Sequence, residues 1–232
     1  MRRVVGFFML LALLACSPEK PPFQSIDLTG ADYAKGFSLP DQLGQARTLA
    51  DFKGKVVMVF FGFTQCPDFC PTTLSEMVQV KRDLGAQGDK IQAIFITLDP
   101  ERDTPELLKA YMGNFDPSFL ALVPTLETLP ALAKDFKIYY KKVEGAKPAN
   151  YTLDHSAGTY IYDTEGRLRL YARYGLGVPA LAADVQQLLK YIPAKRLSFS
   201  SWPPLRFGVC VRRSRRIQRR VRAASCRPSC RR

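Results

Sequence analysis

Residues 56–71 read Val-Val-Met-Val-Phe-Phe-Gly-Phe-Thr-Gln-Cys-Pro-Asp-Phe-Cys-Pro. The apolar run Val56 to Phe61 has strand length and no polar alternation, as expected of a strand buried on both faces. Beyond it Leu74, Met77, Val78, Lys81 and Leu84 recur at helical spacing. Cys66 and Cys70 therefore fall on a strand-to-helix turn, Cys66 just ahead of the helix and Cys70 in or beside its first turn. The start of a helix carries partial positive charge and unpaired N–H groups. A thiol placed there ionises more easily, and the thiolate is both nucleophile and metal ligand.

The same reading extends outward. Phe37 and Leu39, then Thr48 and Leu49, flank the turn-forming stretch Pro40 to Gln45 and predict an N-terminal hairpin. Ile91 to Leu98 is a second buried strand. Thr104 is placed to cap a helix with Pro105 at its first position, its apolar stripe formed by Leu107, Leu108, Tyr111 and Met112. Phe119 to Val123 is a short strand, and a further helix carries Leu129, Leu132, Ala133 and Phe136. Pro130 suits a start at Thr128, because Pro is tolerated only in the first turn. Ile138 to Val143 reads as a strand, Glu144 to Asp154 as a polar loop. Gly158 to Asp163 and Arg167 to Tyr174 form a hairpin around Thr164-Glu165-Gly166, with Leu168, Leu170 and Ala172 on one face and Arg167, Arg169 and Arg173 on the other. A last helix with Leu181, Val185, Leu188, Leu189 and Ile192 ends at Pro193. Strands alternating with helices, then a hairpin and a helix, predict an α/β domain over residues 36–193. The expected form is thioredoxin-like: a central mixed β-sheet flanked by helices, with the N-terminal β-hairpin as an extension.

Charge divides the chain sharply. The formal net charge of +13 suggests a nucleic-acid partner until its distribution is examined. Residues 195–232 hold thirteen basic and no acidic side chains, so the remainder balances 21 basic against 21 acidic. The globular part is not basic, which argues against nucleic acid as its partner. The Arg-rich tail, 194–232, reads as disordered, and its abrupt change of composition suggests a read-through or frame-shifted end; a membrane-surface anchor is the functional alternative. At the other end Arg2 and Arg3 precede an apolar run, Val4 to Leu14, too short to span a bilayer but suited to a signal peptide. Leu13-Leu14-Ala15-Cys16 resembles a bacterial lipobox, with Cys16 as the lipidated first residue of the mature chain. Residues 1–16 are then a lipoprotein signal peptide and 17–35 a tether. The domain is expected outside the cytoplasm, on the periplasmic side and anchored to the membrane, where disulfides persist.

Between Ser17 and Pro193 the only cysteines are Cys66 and Cys70, and the whole chain has one histidine, His155. Two thiolates and an imidazole make a three-coordinate set suited to Cu(I) and able to hold Cu(II) or Zn²⁺. The Cys-x3-Cys spacing alone leaves three readings open: a metal site, a thiol–disulfide redox pair, and a structural pair. His155 stands directly before a strand, in a position that thioredoxin-type domains place near the Cys turn. Asp68 either tunes the thiols or contacts a partner, or is only a solvated turn residue. Asp99, Glu101, Arg102 and Asp103 form a charged loop that either meets a partner or caps a helix.

Three motifs together carry a resemblance: Phe61 to Pro71, then Thr97-Leu98-Asp99-Pro100-Glu101-Arg102-Asp103-Thr104-Pro105, then Asp154-His155-Ser156. In this order and at these separations they resemble the Sco/SenC family, from about Phe37 to Ile192. The resemblance implies a membrane-tethered thioredoxin-like domain that binds copper through Cys66, Cys70 and His155. It implies a chaperone that assists assembly of the binuclear copper centre of cytochrome c oxidase. The expected partners are the copper-bearing subunit of that oxidase and other copper chaperones or thiol oxidoreductases. The alternative is an extracytoplasmic thiol–disulfide oxidoreductase using Cys66 and Cys70 as its redox pair on that subunit or on other exported proteins. One departure is visible: where the family often has His before the first Cys, this chain has Gln65.

Overall fold

The computed structural model describes residues 22–145 and 150–190. They belong to the first of two units of the chain, Met1–Pro193; the second, Ala194–Arg232, lies outside them. The expectations for Cys16, the signal peptide and the Arg-rich tail therefore fall outside the described residues.

Strand β4 (Val56–Gly62) is the centre of the molecule, and all seven of its residues are buried. It pairs in parallel with β5 (Ile91–Thr97) and antiparallel with β9 (Thr159–Tyr162). The six-stranded sheet has the order β1-β10-β9-β4-β5-β6, completed by β1 (Ile26–Asp27), β10 (Leu168–Ala172) and β6 (Leu120–Leu122). Neighbouring side chains on a strand point to opposite faces, so a run buried throughout needs cover on both sides. Gly62 and Phe60 lie on the face met by α1 (Phe69–Asp83), where the Cys70 Sγ sits over Gly62. Phe61, on the other face, packs on Phe136 at a ring separation of 5.0 Å, just past α3 (Leu129–Asp135). The mixed α/β sheet with flanking helices is the architecture expected from the sequence. So is the N-terminal hairpin, β2 (Ser38–Pro40) with β3 (Ala46–Thr48). Its turn is held by buried Asp41, which accepts from the Leu43 and Gln45 amides and from the Arg47 guanidinium.

Helix signals mark the observed boundaries closely. Helix α2 (Pro105–Gly113) begins with Thr104 accepting from the Leu107 amide. Helix α3 has Thr128 before its first residue and Pro130 in its first turn, and α4 (Val178–Lys190) packs with α1. No helix among the described residues is long and apolar enough to cross a membrane.

Two expectations need correction. The tether expected over 17–35 does not run through its described part, residues 22–35, which is folded. Ile26 and Asp27 pair with β10, the Gln24 and Ser25 amides donate to buried Asp184 of α4, and the Tyr162 hydroxyl donates to the Ala34 carbonyl. This strap also covers the face of β10 that carries Arg169. Arg169 is buried there, donating to Thr29 and paired with buried Asp163. Last, the polar loop expected from Glu144 to Asp154 is partly a strand. β7 (Tyr140–Glu144) and β8 (Tyr151–His155) form a two-stranded ribbon of their own. Tyr151, Leu153 and His155 face the body while Thr152 and Asp154 face solvent.

Candidate metal centre

Both cysteines are placed by the end of β4. The chain leaves the sheet at Gly62, turns through Phe63 to Asp68 and enters α1 at Phe69. Gly62 is required by contact: a Cβ there would stand 2.7 Å from the Cys70 Sγ and 2.8 Å from the Phe95 ring. Cys70, the second residue of the helix, is fully buried, and Cys66 is 7% exposed. Helix α1 has no side-chain oxygen capping its start. The Cys66 Sγ takes that place, accepting from the Cys70 amide at 3.4 Å.

That arrangement separates the two thiols chemically. Cys66 is held far below its ordinary value, at about 4, chiefly by the hydrogen bond from the Cys70 thiol. Lesser help comes from His155 and from the Cys70 and Asp68 amides, against the opposing effect of burial. Cys70 is pushed upward by donating that hydrogen bond, by burial and by the neighbouring Cys66 charge. Asp68 acts here through its backbone N–H; its side chain stays near solvent, 3.5 Å from the Thr72 hydroxyl.

The histidine comes from the ribbon. His155 ends β8, and the base of the ribbon is closed by the Ser156 amide on the Tyr139 carbonyl at 2.9 Å. The His155 Nδ1 lies 2.9 Å from the Ser156 carbonyl. That carbonyl only accepts, so Nδ1 donates to it and Nε2 is the nitrogen turned toward the two sulfurs. Nε2 is 3.8 Å from the Cys70 Sγ, and the ring sits edge-on to Phe60 and Phe63 at 6.2 and 5.8 Å. The ligand atoms of Cys66, Cys70 and His155 all lie within 4.8 Å of one another. Cys66 and His155 line a pocket of ≈ 340 Å³ with exposed Phe69 and Tyr139 also at its wall, and Cys70 lies buried behind them.

The charged loop after β5 meets both halves of this site. Buried Asp103 accepts from the Thr64 amide at 3.1 Å, from the Thr64 hydroxyl and from the Thr97 hydroxyl at 2.6 Å, so it holds the start of the Cys turn. Arg102 donates to the Gln65 side-chain oxygen at 3.0 Å and to the Tyr151 carbonyl at 2.9 Å. Its guanidinium lies 3.5 Å from the centre of the Tyr151 ring. Sequence reasoning registered this loop but not its partners. Tyr151 lies 49 positions from Arg102, and no periodicity links them. The common cause is topological: parallel β4 and β5 end at the same edge of the sheet, and side chains leaving there converge.

A thioredoxin-like sheet whose carboxyl edge brings a dithiol turn and one imidazole together defines a class of dithiol–histidine domains. The SCO1/SenC family profile matches residues 27–190, and the chain belongs to that family. It is 36% identical over 167 residues to an SCO2-like protein of Rickettsia felis, covering 71% of this chain and 80% of that protein. The structure of Bradyrhizobium japonicum ScoI with copper bound superposes with a TM-score of 0.60 at 39% identity, covering 66% of this chain and 97% of the other. Yeast Sco1 with copper bound gives a TM-score of 0.61 at 30% identity, over 72% and 97% of the two chains.

Proposed function

We propose that this protein is a copper chaperone that takes its cargo on Cys66, Cys70 and His155 and serves assembly of the copper centre of cytochrome c oxidase. The observation that carries the reading is the convergence of the three ligand atoms within 4.8 Å at the mouth of an open pocket. The donor set fits: two thiolates favour soft Cu(I), and an imidazole with its other nitrogen fixed extends the set to Cu(II). Three protein ligands leave a coordination position open. With Cys66 at the rim and Cys70 buried below it, an incoming ligand approaches from the pocket side, which suits transfer by ligand exchange. Family membership and the two copper-bound relatives support the choice of metal.

The lipobox-like Leu13-Leu14-Ala15-Cys16 supports a lipid anchor on the periplasmic side of a bacterial membrane, and family membership supports the copper-bearing oxidase subunit as the partner. A second reading has its own observation, the low Cys66 value. In it the Cys66 thiolate attacks a disulfide sulfur of the partner, giving a mixed disulfide and one released partner thiolate. Cys70 then gives up its proton and attacks the Cys66 sulfur. The internal disulfide forms, the second partner thiolate leaves, and the partner has gained two electrons.

Anaerobic Cu(I) titration against a chromophoric competitor tests the first reading. The protein used carries Ser in place of Cys16, Cys210, Cys226 and Cys230, so that Cys66 and Cys70 are its only thiols. One equivalent should bind tightly, and Cys66→Ser and His155→Ala should each weaken it. Equal binding by all three proteins would remove the metal reading.

A further inference from the structure

We propose that Arg102 is a positioning residue for the metal centre: it pins the ribbon that carries His155 to the turn that carries Cys66. The proposal rests on the copper reading above and adds a residue that touches neither sulfur nor imidazole. The ribbon needs such a pin. β7 and β8 pair only with each other, outside the six-stranded sheet, and Leu153 is their one buried residue. Arg102 grips at three points. Its Nε donates to Asp99, and its Nη1 donates both to the Gln65 side chain, next to Cys66, and to the Tyr151 carbonyl, four residues before His155. The Tyr151 ring lies under the guanidinium, and the Tyr151 hydroxyl closes the figure by donating to the other Asp99 oxygen at 2.7 Å. Two ligand-bearing segments from different parts of the chain are thereby held to one side chain.

Stability alone does not account for this arrangement. The Arg102 side chain is 16% exposed and Asp99 1%, and the Arg102 Nη2 is buried with no acceptor. A buried ion pair is seldom more stabilising than an apolar pair of the same volume, and its best-attested use is to fix register. The register fixed here is the distance between His155 and the thiols. A planar fork reaching three oxygens and stacking on an aromatic ring is also chemistry that lysine cannot supply.

The test is a double-mutant cycle read by anaerobic Cu(I) competition on the full chain, again with Cys66 and Cys70 as its only thiols. Loss of a residue that orients a ligand typically costs about 10–100-fold in metal affinity, so Arg102→Ala should weaken binding about 10-fold or more, and Arg102→Lys should not restore it. Tyr151→Phe keeps the ring and the packing and cuts only the hydroxyl's bonds to Asp99 and Glu101; it should weaken binding by a smaller factor in the same direction. The decisive result is coupling: in a His155→Ala background neither change should weaken binding further. In the metal-free protein, Arg102→Ala should speed amide hydrogen exchange at residues 152–155 and leave α1 unaltered. If Arg102→Ala binds copper like the parent, or its loss persists at full size without His155, the positioning role is overturned while the copper reading stands. If His155→Ala itself binds like the parent, the copper reading falls and this one with it.

Discussion

The two halves of the candidate metal centre are built in opposite ways. Cys66 and Cys70 follow a central strand that is buried at all seven of its residues. Their turn is fixed by Asp103 on Thr64, by the helix start beneath Cys66 and by a glycine whose missing Cβ lets the Cys70 Sγ pack directly on the strand. His155 ends a two-stranded ribbon most of whose residues face solvent. The dithiol is thus set by the core of the fold, while the imidazole is delivered on an arm. On the copper-transfer reading proposed above, this division suits a protein that both holds and releases an ion: the sulfurs are set by the core, and the imidazole is carried by the less buried ribbon.

The largest expected effect separates the halves outright. His155→Ala should lower Cu(I) affinity by more than the roughly 10–100-fold that loss of an outer partner costs. Oxidation of Cys66 and Cys70 to a disulfide, followed by thiol titration, should proceed as in the parent. A parallel loss of both properties would show that arm and turn are one unit.

Gly62→Ala strikes the opposite half. Its Cβ meets the Cys70 sulfur and the Phe95 ring at distances that side chains do not adopt. It should cost about 1–3 kcal/mol, as overpacked cores do, read as a lower urea midpoint at unchanged slope. A near-neutral outcome would mean that the turn is softer than drawn.

The thiols also predict a pH dependence for the reduced, metal-free protein. With Cys66 at about 4 in the fold against 9.0 for an ordinary thiol, the unfolded chain carries a proton between those values that the folded chain lacks. Stability from Cys66 is complete above pH 9 and declines as the pH falls toward 4, so folding strengthens with rising pH across that window. Cys70, pushed upward, has the opposite sign and retains its proton in the fold, so stability falls again above pH 9. Alkylation of Cys66 should persist at pH 5 and fade near pH 4. His155→Ala should move that fade modestly upward, because His155 is one of the groups that favour the thiolate. An inflection near pH 8 would contradict the hydrogen bonding drawn around Cys66.

The smallest effect lies away from both halves. Asp184→Asn leaves one good acceptor for the Gln24 and Ser25 amides and should cost about 1 kcal/mol, measured by thermal unfolding. Copper binding should be unchanged. A linked loss of binding would show that the N-terminal strap reaches the site.

What was legible in the sequence follows the same division. The buried run at Val56, the two cysteines, the Thr104 cap and the Pro130 offset are local signals, and each lies where its spacing placed it. The ribbon was half legible. Tyr151, Leu153 and His155 alternate with Thr152 and Asp154, but the polar approach from Glu144 masks a pattern only five residues long. The strap over 22–35 has almost no local signature, because what orders it lies elsewhere: Asp184, β10 and the Tyr162 hydroxyl. Arg102 was visible as a charged loop residue and invisible as a pin, since its role exists only once β4 and β5 end side by side.

The most direct test of the account is X-ray absorption at the copper edge. The Cu(I)-loaded protein would carry Cys66 and Cys70 as its only thiols and be compared with its His155→Ala variant. The account predicts two sulfur neighbours and one imidazole nitrogen in the parent, and two sulfurs with the imidazole signal gone in the variant. Identical spectra from the two proteins would contradict it.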